Sequence, residues 1–107
     1  MLIHKGLKKS WQKLSLVEQL ANIGSEVYRA KRWQGENEQY FNNAVDRALE
    51  LFDLTIADPR WKKRLKEICR VREIFCDIIF GDNQYNTTLE DLDKYFYHYA
   101  VAARLSK

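Results

Sequence analysis

Asp58-Pro59-Arg60-Trp61-Lys62-Lys63-Arg64-Leu65-Lys66 is the stretch on which the reading of the fold turns. The residue before a proline is pushed out of the helical region, so a helix arriving from the N-terminal side ends near Asp58. Asp58 then reads as the N-cap of a new helix and Pro59 as its first residue. Five bases, Arg60, Lys62, Lys63, Arg64 and Lys66, crowd the turn that follows. A helix start already carries partial positive charge, so cations there are unfavourable unless an anion sits on them. With an anion in place, free backbone N–H groups and basic side chains converge on one ligand. The stretch therefore predicts a helix boundary and a polyanion site together.

Downstream, a helix is expected over 59–80, closed by Gly81. Its apolar stripe is Trp61, Leu65, Ile68, Phe75 and Ile79, flanked by Cys69, Val71, Cys76 and Ile78. At about 100° per residue, Arg72 falls in the centre of that stripe, between Ile68 and Phe75. A buried arginine needs a partner. Glu26 is the first choice, with Asp46 and Asp53 as alternatives, and an internal ion pair that sets helix register is favoured over a ligand-binding role. Upstream, Phe41, Ala44, Val45, Ala48, Leu51, Phe52, Thr55 and Ile56 share one face of a helix over 38–56.

Two further helices complete the pattern. Ser15 and Glu18 fit a capping box ahead of a helix over 15–34, with Gly35 just past its end. Gly24 lies in that helix's apolar stripe, which points to close helix approach there. Thr87 and Glu90 fit a second capping box before a helix over 88–104, whose Tyr97 and Val101 lie away from the inward face with Asp93 and Lys94. Amphipathic helices joined by short links favour antiparallel packing. The expectation is an all-α protein: an antiparallel up-down four-helix bundle over 15–107, preceded by a basic N-terminal arm over 1–14.

The whole chain agrees. Its 107 residues, 46% apolar and 31% charged, suit one domain with a modest core. One proline and four glycines leave long uninterrupted segments, which favours helices. No apolar run approaches the ~20 residues of a membrane span, and Met1-Leu2-Ile3-His4-Lys5-Gly6 lacks the apolar core of a signal peptide. Cytoplasm is the expected location, with no membrane partner. Cys69 and Cys76, two turns or roughly 10 Å apart on one helix, are too distant for a disulfide and read as small buried hydrophobes.

Net charge is +3 but unevenly spread. Residues 1–14 carry Lys5, Lys8, Lys9 and Lys13 without an acid. Residues 36–58 carry Glu36, Glu38, Asp46, Glu50, Asp53 and Asp58 against Arg47 alone. Residues 59–80 are again basic. Opposed blocks give a surface with distinct faces. The plainer reading of these blocks, set against a ligand site, is that the acidic second helix simply pairs with the basic third.

Motifs that carry chemistry are missing. There is no Gly-rich phosphate loop, no His-Glu-x-x-His, no CxxC and no Glu-x-x-His pair of the kind di-iron bundles use. His4 and His98 form no ligand spacing with the cysteines. A non-catalytic protein with no metal and no cofactor is expected.

Three stretches carry a resemblance: Leu16-Val17-Glu18-Gln19-Leu20-Ala21-Asn22-Ile23-Gly24-Ser25-Glu26-Val27-Tyr28-Arg29-Ala30, Arg47-Ala48-Leu49-Glu50-Leu51-Phe52-Asp53-Leu54-Thr55-Ile56, and Phe80-Gly81-Asp82-Asn83-Gln84-Tyr85. They resemble a family of small prokaryotic all-helical proteins of about this length with no assigned activity. In architecture alone the chain is similar to the four-helix proteins encoded in ribosomal RNA intervening sequences, and to the accessory proteins of diversity-generating retroelements. The latter are basic oligomeric bundles that work with reverse transcriptase and nucleic acid. The analogy carries over no residue.

The leading expectation is a helical-bundle adaptor that binds RNA or DNA through Arg60, Lys62, Lys63, Arg64 and Lys66, helped by Lys5, Lys8, Lys9 and Lys13. These would contact phosphates and release counterions, with Trp11 and Trp61 free to stack on unpaired bases. The competing expectation is a protein-binding or self-assembling module, a homo-oligomer, whose acidic second helix docks on a basic face of a neighbour.

Overall fold

The computed structural model describes residues 6–105, and these are all-helical, with no strand among them. A short helix, α1 (Leu7–Trp11), is followed by α2 (Leu16–Trp33), α3 (Glu38–Ile56), a 3₁₀ turn over Pro59–Arg64, α4 (Leu65–Phe80) and α5 (Leu89–Leu105). The radius of gyration, 13.4 Å, matches the ~13 Å of a folded domain of about this size. Among the described residues no helix is long and apolar enough to cross a membrane.

Local signals explain where the helices start and stop. Ser15 and Glu18 form a reciprocal capping box: the Glu18 amide donates to the Ser15 hydroxyl, and the Ser15 amide donates to the Glu18 carboxylate. Past the end of α2, Gly35 adopts φ +76°, a left-handed conformation natural to glycine. The Asn37 side chain caps α3 by accepting from the Tyr40 amide. For α5 the box lies one residue later than Thr87–Glu90. The Asp91 amide donates to the Thr88 hydroxyl, and the Thr88 amide to the Asp91 carboxylate. Thr87 instead donates its hydroxyl to the Tyr85 carbonyl.

α2 packs closely on both α3 and α5, and α4 lies against α3 and α5. The core they share includes Ile23, Val27, Phe52, Ile68, Phe75 and Phe96, each no more than 2% exposed. Phe52 meets Phe75 and Phe96 at ring-centroid distances of 5.8 and 6.1 Å, which ties α3 to α4 and α5. Gly24 permits the close approach of α2 to α5. A Cβ there would lie 2.5 Å from the Phe96 Cβ, closer than any side chain tolerates.

Four expectations need correction. Residues 6–14 of the segment read as an arm belong to the packed body: Trp11, at the end of α1, is 4% exposed in the core. The third helix does not begin at Pro59. Trp61 sits at φ −103°, ψ 22°, and regular α-helix starts at Leu65. Cys69 is exposed and Cys76 half-buried, because Ile68 and Phe75 take the inward positions of α4. Arg72 is half-buried, and its Nε donates to Asp53 at 2.9 Å. Glu26 is not its partner. Buried on α2, it accepts from Arg29 at 2.8 Å, one turn along its own helix.

Candidate functional site

The cationic stretch is built around a side chain that sequence reasoning passed over. Gln19 of α2 is fully buried. Its amide nitrogen donates to the Trp11 carbonyl at 2.9 Å and to Asp58 Oδ2 at 3.1 Å. Its amide oxygen accepts from the Trp61 indole at 2.8 Å. The Trp11 indole in turn donates to the Thr55 hydroxyl at 3.0 Å. One glutamine thus links α1, α2, the end of α3 and the 3₁₀ turn. The available signal was its spacing, three residues after Leu16 and four before Ile23, which puts it on the apolar stripe.

Asp58 completes the cluster. Its carboxylate is buried and accepts from the Arg60 amide, from Arg60 Nε, and from Arg60 Nη2 at 2.7 Å. These bonds, the Arg60 side chain first, hold its pKa down at about 2 against the opposing effect of burial. The same Arg60 Nη2 donates to the Leu14 carbonyl at 2.8 Å, and the guanidinium lies 4.4 Å from the Trp61 ring centroid. The tight turn follows from these commitments, because Asp58, Arg60 and Trp61 all point back onto α1 and α2.

The expected anion site at the helix start is therefore filled from within. Asp58 takes the Arg60 amide and guanidinium that a ligand phosphate was expected to use. Arg64 donates to Glu67 at 2.7 Å, which raises its already high pKa. Trp11, expected to stack on bases, is sealed in the core. Trp61 is half-buried, packed on the core and covered by Arg60.

Lys62, Lys63 and Lys66 behave differently. All three are exposed and make no ion pair among the described residues. The acidic block does not neutralise them: in α3, Asp53 pairs with Arg72 and Glu50 with Arg47 at 2.6 Å, and after α3, Asp58 pairs with Arg60. Lys8, Lys9 and Lys13 are likewise exposed and unpaired among the described residues. Docking of Trp11 on Thr55 and of Arg60 on the Leu14 carbonyl brings α1, with its lysines, to the end of the molecule that holds the 3₁₀ turn. Lys5 lies outside the described residues.

A groove of about 530 Å³ opens beside this end, lined by Asp53, Lys66, Cys69, Arg70, Arg72 and Glu73 among others. Its arginines are answered by its acids, Arg72 by Asp53 and Arg70 by Glu73 at 3.7 Å. Burial pushes the Cys76 thiol up, against the pull of Arg72. Among the described residues no three His, Cys, Asp or Glu side chains converge as metal ligands.

On the far side, α2 and α5 form a groove of about 620 Å³ with Tyr28 and Tyr97 exposed at its rim. Val101 is half-buried rather than turned away. Compared with family models, curated proteins and solved structures, the chain gives no match.

Proposed function

We propose that this protein is a non-catalytic adaptor that binds a nucleic-acid polyanion at the end formed by α1 and the 3₁₀ turn. The observation that carries the reading is the survival of six exposed lysines there, Lys8, Lys9, Lys13, Lys62, Lys63 and Lys66, without a carboxylate partner among the described residues. Of the other bases of that end, Arg60 is engaged by Asp58 and Arg64 by Glu67, while Arg104, beside Leu14 and Glu18, is exposed. Like charges held together on a rigid frame repel one another, and a polyanion relieves that repulsion while releasing counterions.

The frame on this reading is an antiparallel up-down four-helix bundle. Its support is the pairing of the end of α2 with the start of α5 through Lys31 and Asp93, with Asp53 near the end of α3 tied to Arg72 at the middle of α4. The self-assembly reading loses part of its support, because Glu50, Asp53 and Asp58 of the acidic block are paired inside the chain, while Glu36, Glu38 and Asp46 stay exposed without an ion pair among the described residues.

The test is fluorescence anisotropy with labelled RNA and DNA over a salt titration. Affinity should fall steeply with salt, with a log–log slope of about −0.7 per single-strand contact and about −0.9 per duplex contact. Lys62→Glu, Lys63→Glu and Lys66→Glu together should abolish binding while circular dichroism stays unchanged. Deleting residues 1–14 would take Trp11 from the core, so α1 is tested by reversing Lys8, Lys9 and Lys13 instead. Absence of binding at low salt, or binding indifferent to the first triple reversal, rejects the proposal.

A further inference from the structure

We infer that the basic end grips the sugar-phosphate backbone of a nucleic-acid duplex and takes no affinity from base stacking. The inference rests on the polyanion reading above and names its ligand class.

Three observations carry it. The first is the fate of the aromatic rings at that end. Trp11 is 4% exposed, with its indole N–H spent on Thr55. Trp61 spends its N–H on Gln19, packs on the core, and is covered by the Arg60 guanidinium at 4.4 Å. Neither offers a face to an unpaired base.

The second is where exposed rings do occur. Tyr40 stands at the link from α2 to α3 with Trp33 edge-on at 5.0 Å, Phe80 and Tyr85 lie at and after the end of α4, and Tyr28 and Tyr97 rim the groove between α2 and α5. None of these rings belongs to α1 or the 3₁₀ turn.

The third is the chemistry of the free cations. Six of the free cations are lysines, point charges suited to phosphate, beside the exposed Arg104 of α5. Within the 3₁₀ turn, Arg60 spends its guanidinium on Asp58 and the Leu14 carbonyl, and Arg64 pairs with Glu67, which leaves little of that turn's arginine for reading guanine edges.

A single strand owes much of its sequence-tolerant affinity to stacking on aromatic side chains. Without a platform, affinity follows the density of phosphate charge. A duplex has the higher density, one charge per about 1.7 Å of axis. The expected ligand is thus paired nucleic acid, bound without sequence preference.

The experiment uses the full chain and four labelled ligands of equal nucleotide length: a DNA duplex, an RNA duplex, and oligo-dT and oligo-U single strands. Binding is compared by anisotropy at one low salt concentration, the duplexes are then titrated over a salt series, and tryptophan emission is read at saturation. At least one duplex should bind about 10-fold or more tighter than either single strand, with a duplex salt slope approaching about −5 if all six lysines engage. Tryptophan emission should not be quenched, and AT-rich and GC-rich duplexes should bind alike. Which duplex leads identifies the helix form preferred. Tighter single-strand binding, or quenching by bound bases, overturns the inference and leaves the polyanion reading standing. Failure of all four ligands to bind removes both.

Discussion

Gln19→Leu tests the cluster that shapes the basic end. The substitution nearly preserves volume at a fully buried position, so it removes hydrogen bonds without opening a large cavity. Three bonds are lost. The Trp61 indole loses its acceptor at 2.8 Å, and Trp61 is only half-buried, so water recovers part of that loss. The Trp11 carbonyl loses one donor at 2.9 Å but keeps the Leu14 amide at 3.1 Å. Asp58 loses a donor at 3.1 Å but keeps Arg60. Neutral bonds contribute about 0.5–1.5 kcal/mol and charge-assisted ones about 1.5–3, so the total cost is about 3 kcal/mol. For a domain near 100 residues, each kcal/mol lowers Tm by about 4 °C at least, giving a drop of about 12 °C. Thermal unfolding followed by far-UV circular dichroism measures it. A drop below about 3 °C would mean that the cluster is peripheral and that something else holds α1 and the 3₁₀ turn in place.

Asp58 makes stability pH-dependent on the acid side. Its folded pKa of about 2 lies below the unfolded value near 3.9, so its contribution is full above about pH 4 and is lost as pH falls toward 2. The stability gap between wild type and Asp58→Asn, measured by urea unfolding, should narrow across that window; a gap constant with pH contradicts the depressed value. Gly24→Ala should destabilise by about 1–3 kcal/mol despite alanine's better helix propensity, because the new methyl meets the Phe96 Cβ rather than a flexible side-chain end. A stabilised Gly24→Ala protein would mean that α2 and α5 can separate freely. Arg72→Met should cost less than about 1 kcal/mol, since Asp53 is 41% exposed and is resolvated when left alone. A loss near the 3–5 kcal/mol of a broken buried pair would contradict the half-exposed geometry.

What the sequence determined by itself is local. Apolar spacing, the Ser15 capping box, Gly35 and the Asp58-Pro59 break depend on residues within a turn or two of one another, so four long helices and their limits were readable to within a few residues, except at the start of the third. The close approach at Gly24 was readable too, because a glycine on an apolar stripe has few other uses there.

The candidate site was only partly legible. The lysines were visible as a list of charges, but which cations stay free depends on partners distant in sequence. Trp11 reaches Thr55 across 44 residues, Gln19 reaches Asp58 across 39, and Trp61 reaches Gln19 across 42. A periodicity argument treats each helix alone and cannot see such pairings. It put Arg72 at the middle of a stripe, whereas a long side chain at a helix surface can extend toward solvent to reach Asp53. Tertiary structure alone decided that Arg60 and Trp11 build the frame while Lys62, Lys63 and Lys66 stay exposed without an ion pair among the described residues. The physical reason is that a buried carboxylate such as Asp58 must be matched before folding is favourable, and the nearest guanidinium is taken for it.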